Sequence, residues 1–248
     1  MPSTSSESSS DTTTSPLSTR PSLAVNIIDG MAELQSLDIP EWVHNCAHLA
    51  DHFIATLDLK YETTKEVRLV FDRYDIATSL KEATREKRQA GLDPIYYRIT
   101  DSTLITKVPM KRLLSHPKTK MELTIYLAGK TLEHAQQSTR PFVVAWGGQC
   151  RATHKDVEHL PSNREEADTK MILHAVDATS DGVTEIKIHS PDTDVLVLDL
   201  RRYPMLCVDA SFVTGRGHNH REIKMGPIVQ ALGPTRTAAL PAFSQGET

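Results

Sequence analysis

The sequence has little cysteine, few aromatic residues and no long apolar run, and each shortage removes a class of protein. Three cysteines, Cys46, Cys150 and Cys207, are too few and too scattered for a disulfide framework. A reducing, intracellular compartment, nuclear or cytoplasmic, is therefore expected. No stretch reaches the ~18 consecutive apolar residues of a membrane span. The opening MPSTSSESSSDTTTSPLSTR lacks the basic start and apolar centre of a secretory signal, and it is not Arg-rich like a transit peptide. Charge of one sign is also missing. Against 32 Asp plus Glu stand 28 Lys plus Arg, a net charge of -4, so no obvious basic surface awaits a nucleic acid. What is present, 39% hydrophobic and 24% charged residues in 248, fits a soluble globular protein of one large domain or two small ones.

The chain is organised unevenly. Residues 1–22 are Ser, Thr and Pro with almost nothing to bury, and the pattern predicts a disordered tail. From residue 23 apolar strands and helical patterns alternate. Residues 23–28 read as a strand stopping at Asp29-Gly30. Residues 41–57 carry apolar side chains at helical spacing behind Pro40, which suits a first-turn proline. Val67 to Phe71 reads as a strand ending on Asp72, residues 79–89 as a charged helix, 118–137 as a long helix and 142–146 as a strand closed by Gly147-Gly148. The scheme repeats with a helix over 165–178, a strand over 184–189, a helix over 195–201 and a short strand within 205–213. Strands separated by helices of ten or more residues predict a three-layer α/β/α sandwich around a mostly parallel sheet. Residues 23–248 read as one such domain.

In an open α/β sheet the functional crevice lies beyond the carboxyl ends of the strands, and here those ends are acidic. Asp29 closes the first strand and Asp72 the second. The strand ending at His189 runs into Asp192 and Asp194, and the helix near Arg164 begins with Glu165, Glu166 and Asp168. Each acid alone has a capping or turn explanation. Several carboxylates directed to one sheet edge repel one another unless a cation neutralises them. An oxygen-only donor set suits Mg²⁺ or Mn²⁺ rather than zinc, and such a cluster is the chemistry of metal-assisted phosphodiester hydrolysis. Lys81, Arg85 and Arg88, at spacings of four and three, share one helical face close after Asp72. Beside a metal-binding acid they are candidates for holding substrate phosphates, although by themselves they would read as a solvated face.

These segments resemble a known superfamily. The run from Val70 to Arg88 resembles the flap-endonuclease segment in which a strand ends "VFD" and a basic helix follows. Glu166-Ala-Asp168 is similar to its "EAE" at a helix start, Asp192-Thr-Asp194 to its paired "D-x-D", and Asn26 to Asp29 to its first metal-binding strand end. The resemblance implies the PIN-like, flap-endonuclease-like nucleases: a central parallel sheet, and cleavage of DNA or RNA with divalent metal ions. It implies Asp29, Asp72, Glu166, Asp168, Asp192 and Asp194 as metal-site acids. A second resemblance, carried by EEADTK, HSPDTDV and ALGP…ALPAF, is to a group of multi-copy animal proteins and implies a mobile-element origin. That group continues past "LPAF" into a Gly-x-Asp segment supplying a final acid. Here Phe243 is followed by SQGET, so the C-terminal part is expected to be incomplete. An inactive PIN-like remnant that binds nucleic acid or protein is the alternative.

Two further patterns carry less. Cys150, His154 and His159, with His174 or Cys207, form an irregular zinc spacing in a chain with 11 histidines. Residues 215–220, GRGHNH, lack a phosphate-loop pattern and read as a polar turn. The charge balance then looks different. Setting aside the six proposed metal acids leaves 26 acids against 28 bases, so a nucleic-acid partner is compatible with the overall charge.

Overall fold

The computed structural model describes residues 24–73, 94–160 and 167–240. The tail 1–22, the basic helix with Lys81, Arg85 and Arg88, the acids Glu165 and Glu166, and the ending 241–248 lie outside the described residues.

The strands are β1 (Val25–Asp29), β2 (Glu66–Val70), β3 (Phe142–Trp146), β4 (Gln149–Ala152), β5 (Glu185–His189), β6 (Asp209–Thr214) and β7 (Arg221–Lys224), and the inner ones form on β-branched and aromatic residues. They make one sheet in the order β4-β3-β2-β1-β5-β6-β7. The five inner strands are parallel, and β4 and β7 are antiparallel edges. The edge strands were not legible as strands, because β4 and β7 are short and largely polar. Gly147, at φ +52, turns β3 back into β4 across a two-residue loop. The expected architecture, a mostly parallel sheet between two helical layers, is the one observed.

The described helices are α1 (Gly30–Gln35), α2 (Cys46–Lys60), α3 (Met110–Leu113), α4 (Pro117–Gln137), α5 (Ala167–Ser180), α6 (Thr193–Arg202) and α7 (Met225–Ala238). Successive strand residues point to opposite faces, so Ile28, Leu69 and Val144 enter a core with α2 and α4. Ile27, Val70 and Ala145 enter a second core with α5 and α6. Residues of β5, β6 and β7 contribute to the second core and none to the first. The first helical layer thus covers β1 to β3 and leaves that face of β5 to β7 open.

One expected helix begins later than its pattern. Residues 41–45 are not helical; α2 starts at Cys46, where the Asn45 side chain accepts a hydrogen bond from the His48 amide at 2.9 Å. Such a cap is worth about 1 kcal/mol. Pro40 is therefore not a first-turn proline. Trp42 and Val43 belong to a loop in which Val43 is buried and Trp42 is half exposed. Helix α7 went unnoticed because its Gly233-Pro234 pair interrupts it. Gly233 has φ 75 and breaks the helix within its span.

Candidate functional site

The parallel register sets the acids side by side. Asp29 pairs with Val70 on β2, and its neighbour Ile28 pairs with His189 on β5. Asp72 and Asp192 therefore stand two residues beyond the level of Asp29, on the two chain ends flanking it. Asp168 lies in the first turn of α5, whose start is tied to the same edge: the Ala167 amide donates to Asp72 Oδ1 at 2.7 Å. Gly30 permits the close fit of β1 and β2 at this point. A Cβ there would stand 2.5 Å from the Phe71 ring, which is fully buried.

Two of these acids also do the local capping that their sequence positions suggested, and a third makes a tertiary bond. Asp29 caps α1, its Oδ1 accepting from the Met31 and Ala32 amides at 2.9 and 3.0 Å. Asp192 caps α6 by accepting from the Asp194 amide at 2.9 Å. Asp72 accepts from Ala167 as above. Capping does not exhaust their electrostatics. Burial, and then the proximity of Asp72, push the Asp29 carboxyl up from 3.8 to about 6, even though its two amide bonds pull the other way. Asp192 and Asp194 are exposed.

Two residues at this edge were not anticipated. Asp199, on α6, is fully buried, and neither carboxylate oxygen has a hydrogen-bond partner. Burial, and then Asp168, hold its carboxyl well above the usual range. Lys170, buried on α5, donates to Phe71 O at 3.1 Å and Gly147 O at 3.0 Å. It fastens α5 to the carboxyl ends of β2 and β3. Both had a sequence signal, since each is a charged residue at an apolar helix position: Asp199 follows Val195 by four, and Lys170 follows Ala167 by three.

Among the described residues, no group of three or more His, Cys, Asp or Glu side chains is arranged to hold a metal ion. The acids fall into neighbouring pairs, Asp29 with Asp72 and Asp168 with Asp199. Glu166 lies outside the described residues, as do Lys81, Arg85 and Arg88. The zinc spacing is otherwise engaged: His154 Nε2 lies 2.7 Å from Glu66, and His159 Nε2 lies 2.5 Å from Asp177. No described helix is long and apolar enough to cross a membrane.

No protein-family model matches the chain, and no curated protein matches its sequence. Among solved structures the chain is similar to bacteriophage T5 D15 flap endonuclease in a pseudo-enzyme–product complex with DNA and metal ions. That likeness has a TM-score of 0.41 and 13% identity, over 84% of this chain and 60% of the other. It is also similar to T5 5′-exonuclease with zinc bound, at a TM-score of 0.40 and 14% identity with the same coverage. The chain thus spans 60% of the length of each, and what those two bind is a property of those proteins.

Proposed function

We propose that the carboxyl edge of the sheet is a PIN-like nuclease site that hydrolyses phosphodiester bonds of DNA or RNA with a divalent metal ion, Mg²⁺ or Mn²⁺. The observation that carries the reading is the placement of Asp29 and Asp72 side by side at adjoining strand ends, each held by backbone amides. A cation there would be favoured by both carboxylates. An all-oxygen donor set at this edge fits a hard cation. Asp29, Asp72 and Asp168 would hold it, joined by Glu166, Asp192 and Asp194. When bound, the metal would supply a water of lowered pKa and charge stabilisation at the reacting phosphate. The protein's own part is positional. Asp29 is held by the first turn of α1, Asp72 by the Ala167 amide, and Lys170 fastens the elements that carry Asp72 and Asp168. Lys81, Arg85 and Arg88 would steady the substrate phosphates. The free thiols of Cys46, Cys150 and Cys207 fit a nuclear or cytoplasmic protein, and kinship with the multi-copy animal proteins belongs to the same reading.

Purified protein incubated with single-stranded, duplex and flap oligonucleotides should cut at least one in Mn²⁺ and none in EDTA. Asp192→Asn removes a charge while leaving a residue that caps α6 equally well, so it should abolish cutting without unfolding the protein. No cleavage in any metal, or cleavage indifferent to Asp29→Asn and Asp192→Asn, would overturn the reading.

A further inference from the structure

A cavity of about 490 Å³ opens beside the acids, on the face of β5 to β7 that the first helical layer leaves uncovered. It follows from the alternation of β5. Ile186 and Ile188 enter the second core, so Lys187 and His189 point the other way. The walls are α1, the end of α2 and the β6–β7 hairpin, which bring Glu33, Lys60, Tyr61, Arg216 and Glu222 to its lining. Asp29 and Ser190 line it too, so the cavity is continuous with the carboxyl edge.

Its chemistry favours an anion. On the floor, His189 Nε2 bonds Asn26 Oδ1 at 2.7 Å, and the imidazole stands edge-on to the Tyr61 ring at 5.3 Å. Burial first, and then Lys60, Lys187 and His220, hold the His189 pKa down to about 3, with Glu222 opposing them less strongly. Lys60, Lys187 and Arg216 stand in the lining beside Asp29, Glu33 and Glu222. The lysines are anchored rather than loose: Lys60 on Glu33 at 2.9 Å and Lys187 on Glu222 at 3.3 Å. Arg216 is tied to the rim through a 2.9 Å bond from Nη1 to Ser36 O. Tyr61 is 3% exposed, and its hydroxyl has no hydrogen-bond partner. A buried donor left unmade is a cost that a ligand acceptor can remove. The volume is that of a small-ligand site and far exceeds what a phosphate ion alone would fill.

We propose that this cavity binds one phosphate-bearing nucleotide unit, its phosphate held by Lys60, Lys187 and Arg216 and its remainder resting on Tyr61 and His189. Given the nuclease reading above, on which this assignment of the ligand rests, the unit is the nucleotide next to the scissile phosphate. The site also accepts the same chemistry as a free mononucleotide.

The test is binding without metal. A 3′-fluorescein octathymidylate is titrated with protein in EDTA at fixed salt and followed by anisotropy, with thymidine 5′-monophosphate and thymidine as competitors. The monophosphate should displace the strand and thymidine should not. Lys187→Gln and Arg216→Gln should each weaken binding about 10-fold. Tyr61→Phe, which deletes only an unpartnered hydroxyl, should weaken it about 3- to 10-fold without lowering the melting temperature. Binding of the monophosphate in isothermal titration calorimetry, with no binding of the strand, would leave a free-nucleotide site and remove the strand from the proposal. Unchanged binding in all three variants would overturn it outright. The same samples assayed in Mn²⁺ separate this proposal from the nuclease reading. Binding that depends on the cavity but comes with no cleavage sinks only the nuclease. Cleavage and binding that ignore the cavity variants sink only the cavity.

Discussion

At the amino edge of the sheet, Glu66, Asp177 and Asp181 surround the fully buried Arg68, with ion pairs of 2.5, 2.6 and 3.6 Å. His154 and Lys155 add a second partner each to Glu66, at 2.7 and 3.0 Å. Burial alone would raise Glu66 and Asp177. Arg68 and Lys155 around Glu66, and hydrogen bonds from His159 and Arg68 to Asp177, more than offset it, so both carboxyls sit below their usual range. At the carboxyl edge the same residue type behaves in the opposite way. Asp29 rises to about 6 and Asp199 further, each pushed by burial and by a neighbouring acid. The number of acids is not what differs. One end is built around a buried guanidinium, and at the other, two buried carboxyls lie beside further acids. Raised carboxyl pKa values mark such an edge as a candidate site.

The comparison can be tested from its strongest term downward. Arg68→Met should cost about 3–5 kcal/mol, because it leaves Glu66 and Asp177 buried without their cation. Urea denaturation at pH 7 measures this, and a loss below about 1 kcal/mol would mean that the amino edge is not held by charge. Buried groups should next titrate in two opposite senses: His174 and His189, both held down to about 3, in one, and Asp29 and Asp199 in the other. His174, buried beside Arg68, is held down to about 3 from 6.5, first by burial and then by Arg68. The unfolded chain takes up its proton first, so stability falls as pH drops from 6.5 toward 3, by about 1.4 kcal/mol per pKa unit, on the order of 5 kcal/mol if fully expressed. His174→Leu should flatten that slope. Asp29 and Asp199 act the other way, since their raised values mean stability is lost as pH rises above 3.8.

Asp199→Ala accordingly should stabilise the metal-free protein by about 1–3 kcal/mol at pH 8 and by less at pH 4. Equal effects at both pH values would show that the carboxyl is not a neutral buried acid. The smallest effect is expected away from both ends. Lys130 pairs with the exposed Asp101 at 3.3 Å, and Lys130→Ala should leave stability in urea almost unchanged. A larger loss there would mean that exposed pairs matter as much as the buried network.

Much of the fold was legible because period and composition coincide. The segment 142–146 is a strand to the residue, and 118–137 is a helix displaced by a single residue. Misplacements came where local chemistry competed with pattern. Trp42 and Val43 fit a helical spacing, yet the Asn45 cap begins α2 after them. The candidate acids Asp29, Asp72, Asp168 and Asp192 could be named from strand and helix ends alone. Asp199 and Lys170 could not be placed, because spacing shows which face of a helix a residue occupies and not what packs against it.

By itself the sequence determined the inner strands and the long helices, and that the strand ends would be acidic. Side-chain period and backbone propensity are local properties, readable along the chain. Only the tertiary structure decided which acids have partners. The sheet order sets β1 between β2 and β5 and so brings Asp29 against Asp72. Arg68 meets Asp177 across 109 positions of sequence at the opposite end. Coulomb energy depends on separation in space and on burial, and neither is written in the order of residues.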